Sequence, residues 1–365
     1  MTDTHEVVSL AAIINASETR CKAIEKAADT VDSWDNVISQ AERDGIAPML
    51  YRYLKNTTGL DSAVDRLRGL AIRHRHATKI RMSEFFRISE TLADNGIASA
   101  ALKGVALAGL IYPEPGLRPM RDIDFLVSPS DADAARHSLE SLGYEFEETH
   151  LSRFMRRHHH LPNASKIVDG LKVSVEIHTR AISRDAPRSI TMASLHDPLQ
   201  LVDTPFGQYH TLGHLDMLHQ LCRHALEPGH YIRLMSVMDI QGYCERFIED
   251  IDWQRVAEHY PFITNFLSLS DLVVTLPESL SHFSYQGPAI DDPGRLVPTV
   301  SIALGHSASR LEGLKSLFNP PEWWLKSYYR ITPEGQGRLA AFMHHKWRVT
   351  IWLGRRLVAT LPGAA

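Results

Sequence analysis

Two aspartates separated by one residue stand at the start of an apolar run, DIDFLV, at Asp122–Val127. Successive side chains of a β-strand point to opposite faces, so Asp122 and Asp124 are predicted to share one face. Two neighbouring carboxylates repel each other unless a cation lies between them. Hard divalent ions such as Mg²⁺ prefer oxygen ligands, usually one or two carboxylates together with substrate phosphates. The pair therefore predicts a site for metal-assisted phosphoryl or nucleotidyl transfer.

A Lys-Gly step precedes this pair, at the end of a predicted strand that spans Ile97–Leu102. Val105–Ile111 is apolar and can form a helix that starts directly after the step. A helix start that follows a strand is a favourable place for a phosphate, and glycine lets the backbone approach it closely. Lys103 and Gly104 are therefore predicted to bind nucleotide, although many α/β turns share this pattern.

Two arginines lie in the proline- and glycine-containing segment Tyr112–Arg121, which is predicted to be a loop. A guanidinium offers two parallel donors to a phosphate, so Arg118 and Arg121 are predicted nucleotide-binding residues. The alternative is that they only compensate the charge of the aspartates that follow.

A second group of polar residues lies in the run LKVSVEIHT at Leu171–Thr179. Apolar and polar residues alternate there, which predicts a strand with one face in the core. The other face carries Glu176 and His178 near its C-terminal end. If this strand lies beside Asp122–Val127, Glu176 becomes a third carboxylate of the site, and His178 is a further predicted nucleotide-binding residue. The alternative is an ordinary amphipathic strand with a solvated glutamate.

Three consecutive histidines, His158, His159 and His160, lie in another predicted strand, Arg153–Leu161. Alternation would turn only the first and third of them toward one ion. A polar edge strand explains the run as well as a metal site does.

Helical patterns surround these strands and divide the chain into three predicted parts. These are an N-terminal helical region (1–95), a catalytic core (96–198) and a C-terminal helical domain (199–365), in which the pattern is helical from about Leu199. The helices predicted after that point are His210–Ala225, Tyr231–Tyr243, Trp253–Leu276, Leu296–Leu317 and Gly337–Ala359.

A basic stretch lies inside a long predicted helix of the first part. Between Arg66 and Arg87 seven lysines and arginines face only one acidic residue, Glu84. The stretch is either a solvated helix face or a basic wall for a triphosphate or a polyanionic acceptor.

Composition narrows the classes of protein that the chain can be. Its 365 residues, with 44% hydrophobic and 22% charged, suit a soluble globular protein of two or three domains. The net charge of −4 argues against a wholly basic nucleic-acid binder, without excluding a local basic patch. No apolar run is long enough for a membrane span, and no secretory signal is recognisable. The distant Cys21, Cys222 and Cys244 predict free thiols in a reducing cytoplasm and have no metal-ligand spacing.

These residues carry a family resemblance. The run ALKGVALAGLIYPEPGLRPMRDIDFLV at Ala101–Val127, the VEIH at Val175–His178 and the helical stretch Leu218–Ile240 resemble the uncharacterised nucleotidyltransferase family of the DNA polymerase beta-like superfamily. Trp34–Leu54 is similar to the opening helices of that family, so the resemblance covers most of the chain.

The resemblance implies an α+β fold, a polymerase-beta-like core of a small mixed sheet with helices, between helical flanks. It implies that Asp122 and Asp124 bind two divalent ions, Mg²⁺ or Mn²⁺, and that Glu176 completes the metal site and helps to activate an acceptor hydroxyl. The implied chemistry is in-line attack of that hydroxyl on the α-phosphate of a nucleoside triphosphate such as ATP, with release of pyrophosphate.

Two departures from the superfamily pattern concern the nucleotide. Lys103-Gly104 stands where Gly-Ser or Gly-Gly is usual, so the serine that touches phosphate is missing and Lys103 could replace it with a positive charge. The third carboxylate is Glu176, where aspartate is commoner.

The acceptor is left open as a small molecule, a peptide, a protein hydroxyl or an RNA end. Three other functions remain possible at this point: kinase-like transfer of the γ-phosphate, nucleotide binding without turnover, and a toxin that modifies transfer RNA. The basic stretch from Arg66 to Arg87 favours the last of these.

Overall fold

The computed structural model describes residues 4–148, 159–182, 189–226, 233–286, 318–319, 325 and 338–359. Within these residues a mixed sheet of seven strands lies between helical regions, which confirms the predicted α+β class. The division into three parts remains a prediction.

Five helices precede the sheet. They are α1 (Thr4–Leu10), α2 (Glu18–Asp29), α3 (Trp34–Asp44), α4 (Ala47–Leu54) and α5 (Asp61–Asp94). The longest, α5, has 34 residues and contacts four strands of the sheet. Its Phe85 ring stacks on Phe125 of the sheet with the ring centroids 5.2 Å apart, so this helix covers the strand that carries the two aspartates.

The sheet combines parallel and antiparallel pairs. Its strands are β1 (Ser99–Leu102), β2 (Asp122–Val127), β3 (Glu145–Phe146), β4 (Ala164–Val168), β5 (Leu171–His178), β6 (Gln200–Thr204) and β7 (Gly207–Thr211). Their order across the sheet is β3-β4-β5-β2-β1-β7-β6. Strand β2 is central, antiparallel to β1 and parallel to β5.

Alternation along β5 decides which residues reach the site. Val173, Val175 and Ile177 are fully buried in the core, so Glu176 and His178 must lie on the opposite face. Strand β2 is buried along nearly its whole length because it lies between β1 and β5 and is also contacted by the helices α5 (Asp61–Asp94) and Lys103–Leu110.

Among the described residues, two α-helices lie between strands of the sheet. Helix α6 (Lys103–Leu110) begins directly after β1, and α7 (Ala132–Ser141) follows β2 through a short 3₁₀ turn at Pro129–Asp131. Helix α6 lies close to the predicted Val105–Ile111.

The helical pattern expected from Leu199 is wrong for its first residues, which form the hairpin of β6 and β7. Both strands are short, and their buried residues alternate with exposed ones, as in Val202, Tyr209 and Thr211. The strand β7 then pairs in parallel with β1 at Ala101. Alternation over five residues is easily read as part of a longer helix.

The C-terminal helices differ from the prediction at their ends. They are α8 (His214–Ala225), α9 (Leu234–Arg246), α10 (Trp253–His259), α11 (Phe262–Ser270) and α12 (Arg338–Ala359). The single helix predicted over Trp253–Leu276 is wrong, because Pro261 separates α10 from α11. The helix predicted over Leu296–Leu317 and most of the strand predicted over Arg153–Leu161 lie outside the described residues. In the described part of the chain, no helix is both long and apolar enough to cross a membrane.

The first helices press closely on α9 at two glycines. A β-carbon at Gly45 would lie 2.8 Å from the sulfur of Met235, and one at Gly242 would lie 2.3 Å from Cδ1 of Ile14. At each position a side chain from the other segment therefore packs directly against the glycine backbone.

Candidate active site

The carboxylates of β2 and β5 meet because the two strands run in parallel and in register. Asp124 lies opposite Glu176, and Asp122 lies opposite Ser174. The two strands are therefore neighbours, which is the condition under which Glu176 was predicted to be a third carboxylate of the site. Ligand atoms of Asp124, Glu176 and His178 all lie within 4.8 Å of one another, a spacing that could hold a metal ion.

Lys103 reaches the same carboxylates from the end of β1. Its backbone has a left-handed φ of 46°, which is uncommon for a residue with a side chain. This conformation turns the chain from β1 into α6. The Lys103 Nζ atom donates to Oδ1 of Asp124 at 2.9 Å, so the ammonium compensates part of the negative charge of the carboxylates.

His178 lies completely buried behind this contact. Its Nε2 is 2.7 Å from Oδ1 of Asp124 and 3.2 Å from Oε2 of Glu176. Within the described residues, its buried Nδ1 has no hydrogen-bond partner. One imidazole nitrogen therefore holds together the two carboxylates that face each other across the strand pair.

The charges of the site shift each other's protonation. Burial alone would raise the pKa of Asp124, but the Lys103 ammonium and the hydrogen bond from His178 hold it well below its usual range. Burial alone would lower the pKa of Lys103, yet Asp124, Asp122 and Glu176 raise it above its usual value. Asp124 is therefore an anion, and Lys103 a cation, across the physiological range.

Asp122 behaves differently from its neighbour. Burial and the charge of Asp124 raise its pKa to about 6, even though Lys103 acts in the opposite direction. Near neutral pH a fraction of the Asp122 carboxyl groups therefore still carries a proton. Of the three acids, Asp122 is the one whose ionised form an added cation would stabilise most.

The donor set fits a divalent cation. Carboxylate oxygens are the ligands that Mg²⁺ and Mn²⁺ accept, and three such groups crowd one strand end. Lys103 and His178 contact these acids directly, yet burial and the charge of Asp124 still raise the pKa of Asp122. An ion bound by Asp122, Asp124 and Glu176 would offset the negative charge.

Arg118 lies beside the site but is already held. Its Nε donates to Oδ1 of Asp239 at 3.0 Å, and its Nη2 donates to Oδ2 at 2.6 Å. The Tyr112 hydroxyl donates to the same Oδ1 at 2.6 Å. The third nitrogen, Nη1, lies toward Gly104, where an added β-carbon would be 2.8 Å away. The structure thus brings Lys103, Gly104 and one edge of Arg118 together.

Arg121 is not brought into this group. Its side chain is exposed, and its charge acts on Glu42 of α3, together with Arg73 and His74. Among the other predicted residues, His178 lies deeper than a nucleotide-binding role suggests, because it is fully buried against Asp124.

The basic stretch of α5 is largely paired with acids. The partners are Asp35 for Arg66, Asp65 for Arg68, Glu42 for Arg73, Glu114 for Arg75 and Glu84 for Arg87. Arg81 differs, since it is buried; burial lowers its pKa, and the charge of Asp122 opposes this. The stretch is therefore mostly a salt-bridged surface, with one arginine directed toward the site.

Sequence reasoning missed two features of this region. Asp239 and Tyr112 had no readable signal, because their partner Arg118 is 121 positions from Asp239 in the chain. The rings of His159 and His160 lie 5.2 and 5.3 Å from that of His178. The run of histidines was the available signal, but its place against β5 was not readable; His158 lies outside the described residues.

Gly104→Ala is expected to lower the free energy of unfolding by about 1–3 kcal/mol, as overpacking does. Its β-carbon would meet Arg118 Nη1 at 2.8 Å, and Asp239 prevents the guanidinium from moving away. Urea denaturation measures the change. The matched control is Gly69→Ala in α5. A β-carbon there has nothing within 4 Å, so this substitution should raise the free energy of unfolding by about 0.5–1 kcal/mol. Equal effects of the two substitutions would show that the Gly104 contact is not tight.

Comparison with known proteins gives one match. A protein-family model described as an uncharacterised nucleotidyltransferase matches residues 30–260. This range is well over half of the chain and contains every residue discussed at the site. No curated protein and no solved structure matches the chain.

Proposed function

The chain belongs to this uncharacterised nucleotidyltransferase family, and from that membership we propose a metal-dependent enzyme that moves a nucleoside monophosphate from a nucleoside triphosphate to an acceptor hydroxyl. The observation that carries the proposal is the register of β2 and β5. It sets Asp124 opposite Glu176, with Asp122 on the same face. Three acids gathered in a partly buried site have a cost that a bound cation would offset.

In this proposal Asp122, Asp124 and Glu176 hold Mg²⁺ or Mn²⁺. When bound, the ions would stabilise charge on the attacking and leaving oxygens of the α-phosphate. Glu176 is the most accessible of the three, with a quarter of its side chain exposed. It is therefore the carboxylate proposed to meet the acceptor hydroxyl and to help remove its proton.

The triphosphate would lie over the turn from β1 into α6. Lys103 and Gly104 form this turn, and Arg118 presents Nη1 to it. The exposed Arg121 stays in the proposal as an outer contact, and His178 as a residue that acts through Asp124 and Glu176. Attack of the hydroxyl oxygen on the α-phosphorus forms the new phosphodiester bond. The bond between the α-phosphorus and the bridging oxygen breaks, and pyrophosphate leaves with the electron pair of that bond.

In this scheme the Lys103 ammonium can bind either of two anions, the Asp124 carboxylate or a phosphate of the substrate. In the absence of an ion its ammonium binds Asp124. A cation at Asp124 would compete with that contact, while the long side chain can swing toward a phosphate. We propose that the ammonium changes partner when substrate and metal bind.

Lys103→Met is expected to strengthen binding of Mn²⁺ alone and to weaken binding of the nucleotide. Each change should be about tenfold, since one charge contact at a partly buried site is worth on the order of 1–2 kcal/mol. Isothermal titration with Mn²⁺, and separately with a non-hydrolysable triphosphate, measures both. Lys172→Met, which removes an exposed lysine from β5 itself, is the control and should change neither. Weaker Mn²⁺ binding by Lys103→Met would contradict the exchange.

The decisive experiment is a transfer assay. The protein is incubated with each of the four α-labelled triphosphates, with Mg²⁺ or Mn²⁺, and with a cell extract as the source of acceptors. Labelled product and equimolar pyrophosphate are expected from the unaltered protein and not from Asp124→Asn. Transfer of label only from a γ-labelled triphosphate, with release of the diphosphate, would replace the proposal by kinase-like chemistry. Absence of metal-dependent nucleotide binding would overturn it.

The acceptor class follows from the labelled product. The paired basic residues of α5 give little support to a nucleic-acid acceptor, so the tRNA-modifying toxin is the weaker alternative. Growth arrest of cells that express the protein, relieved by Asp124→Asn, would support the toxin alternative. A cytoplasmic location is also proposed, because all three cysteines are free thiols and two are buried.

A further inference from the structure

We infer that His178 binds the metal ion directly through Nε2, beside Asp124 and Glu176, and that this mixed carboxylate–imidazole site prefers Mn²⁺ and similar transition ions to Mg²⁺. The inference rests on the proposed function for the presence of an ion. It goes further in giving His178 a ligand role in place of nucleotide binding, and in choosing between the two ions.

The first argument is the spacing of the donor atoms. Nε2 of His178 lies 2.7 Å from Oδ1 of Asp124 and 3.2 Å from Oε2 of Glu176. Two ligands at right angles around an ion with bonds of about 2.0–2.2 Å are separated by about 3 Å. Nε2 therefore already lies at the spacing of a neighbouring ligand from each of the two carboxylate oxygens.

The second argument is that the imidazole cannot leave. The side chain of His178 is completely buried, and the backbone of His178 is fixed by an antiparallel bridge to the backbone of His160. An ion held between Asp124 Oδ1 and Glu176 Oε2 on the side of the ring would therefore lie within reach of Nε2, since the ligand atoms of all three residues lie within 4.8 Å of one another. The proton that Nε2 now directs at these oxygens would give way to the ion, which leaves the ring neutral.

The third argument is the chemistry of nitrogen donors. Mg²⁺ requires oxygen ligands in near-ideal octahedral geometry and keeps several of its waters. Imidazole suits the transition ions, among which Mn²⁺ also accepts carboxylates. An imidazole beside the carboxylates thus favours Mn²⁺ over Mg²⁺, in contrast to a site of carboxylates alone.

The test is electron spin echo envelope modulation on the full-length protein loaded with Mn²⁺. Modulation from a directly bound ¹⁴N nucleus is expected, and it should change to the ¹⁵N pattern when the histidines are ¹⁵N-labelled. This measurement needs no substitution, so it holds even if variants fold poorly. Bound Mn²⁺ with no nitrogen modulation would overturn the inference and leave the proposed function intact.

Substitutions assign the nitrogen to one residue. His178→Gln offers an amide oxygen in place of the ring and should lose the modulation, while the ratio of Mg²⁺ to Mn²⁺ dissociation constants falls about tenfold or more. His160→Gln, whose ring lies 5.3 Å from that of His178, is the matched control and should keep both. Nitrogen modulation that persists in His178→Gln would overturn the assignment. Failure of the unaltered protein to bind any divalent ion would overturn the inference together with the proposed function.

Discussion

Asp124→Asn is expected to abolish nucleotidyl transfer, with a loss of about 10³-fold or more in kcat, because an amide is a poor ligand for a hard cation. Asp124 is the buried acid that contacts both Lys103 and His178, so no neighbouring oxygen can replace it. The measurement is release of pyrophosphate at saturating triphosphate and Mn²⁺. A variant that keeps near-normal turnover would exclude Asp124 as a metal ligand.

The matched control is Asp203→Asn, which alters an exposed acid of β6 in the same sheet. It should leave kcat unchanged. A loss in both variants would indicate general damage to the sheet and would remove the argument for a role of Asp124 in the reaction.

Stability should separate the two aspartates of the pair. Removal of like-charge repulsion alone predicts that either Asn variant is at least as stable as the unaltered protein. We keep that expectation for Asp122, because burial and the charge of Asp124 raise the pKa of this carboxyl to about 6. For Asp124 it is reversed, because Asn leaves the Lys103 and His178 donors poorly paired, at a cost of about 1–3 kcal/mol. Urea denaturation of the metal-free variants measures both signs.

Arg118→Met or Asp239→Leu alone is expected to lower the free energy of unfolding by about 3–5 kcal/mol, because each leaves a buried charge without its partner. The side chains of this pair are only 8% and 4% exposed. The double variant should recover most of the loss, and denaturation of the four proteins gives the coupling energy. The control is Lys22→Met, from a pair whose side chains are 72% and 83% exposed, which should cost less than about 1 kcal/mol.

The same double variant tests what Arg118 does for the substrate. If the guanidinium only joins α9 to the loop before β2, the stabilised double variant should transfer normally. If Nη1 also touches phosphate, KM for the triphosphate should rise while kcat changes little. A small coupling energy would contradict the buried pair itself.

Local patterns predicted the parts of the site that lie on strands. The alternation of DIDFLV and of LKVSVEIH placed Asp122, Asp124, Glu176 and His178 on polar faces, because a strand has a strict two-residue period. Whether the two strands are neighbours was a condition in that reasoning. Pairing partners are set by the whole sheet, and the structure supplied them.

Contacts between distant segments were beyond reach of the sequence. Arg118 and Asp239 looked like separate charges, since nothing local links a loop before β2 to a helix near the end of the family match. The left-handed Lys103 was also unexpected, because that conformation is usual for glycine. The hairpin of β6 and β7 was missed since each strand has only five residues.

The close approach at Gly45 and Gly242 bears on how the chain can be divided. Both contacts join the first helical segments to α9, the helix that carries Asp239. Asp239 in turn holds Arg118, which lies beside Gly104. A shortened chain that starts at the sheet would expose the surface of α9 that those helices contact. The loop before β2 would then be held less firmly. The helices before the sheet therefore support the candidate site through α9, and a protease that cut the chain between α4 and α5 should leave two fragments that stay associated.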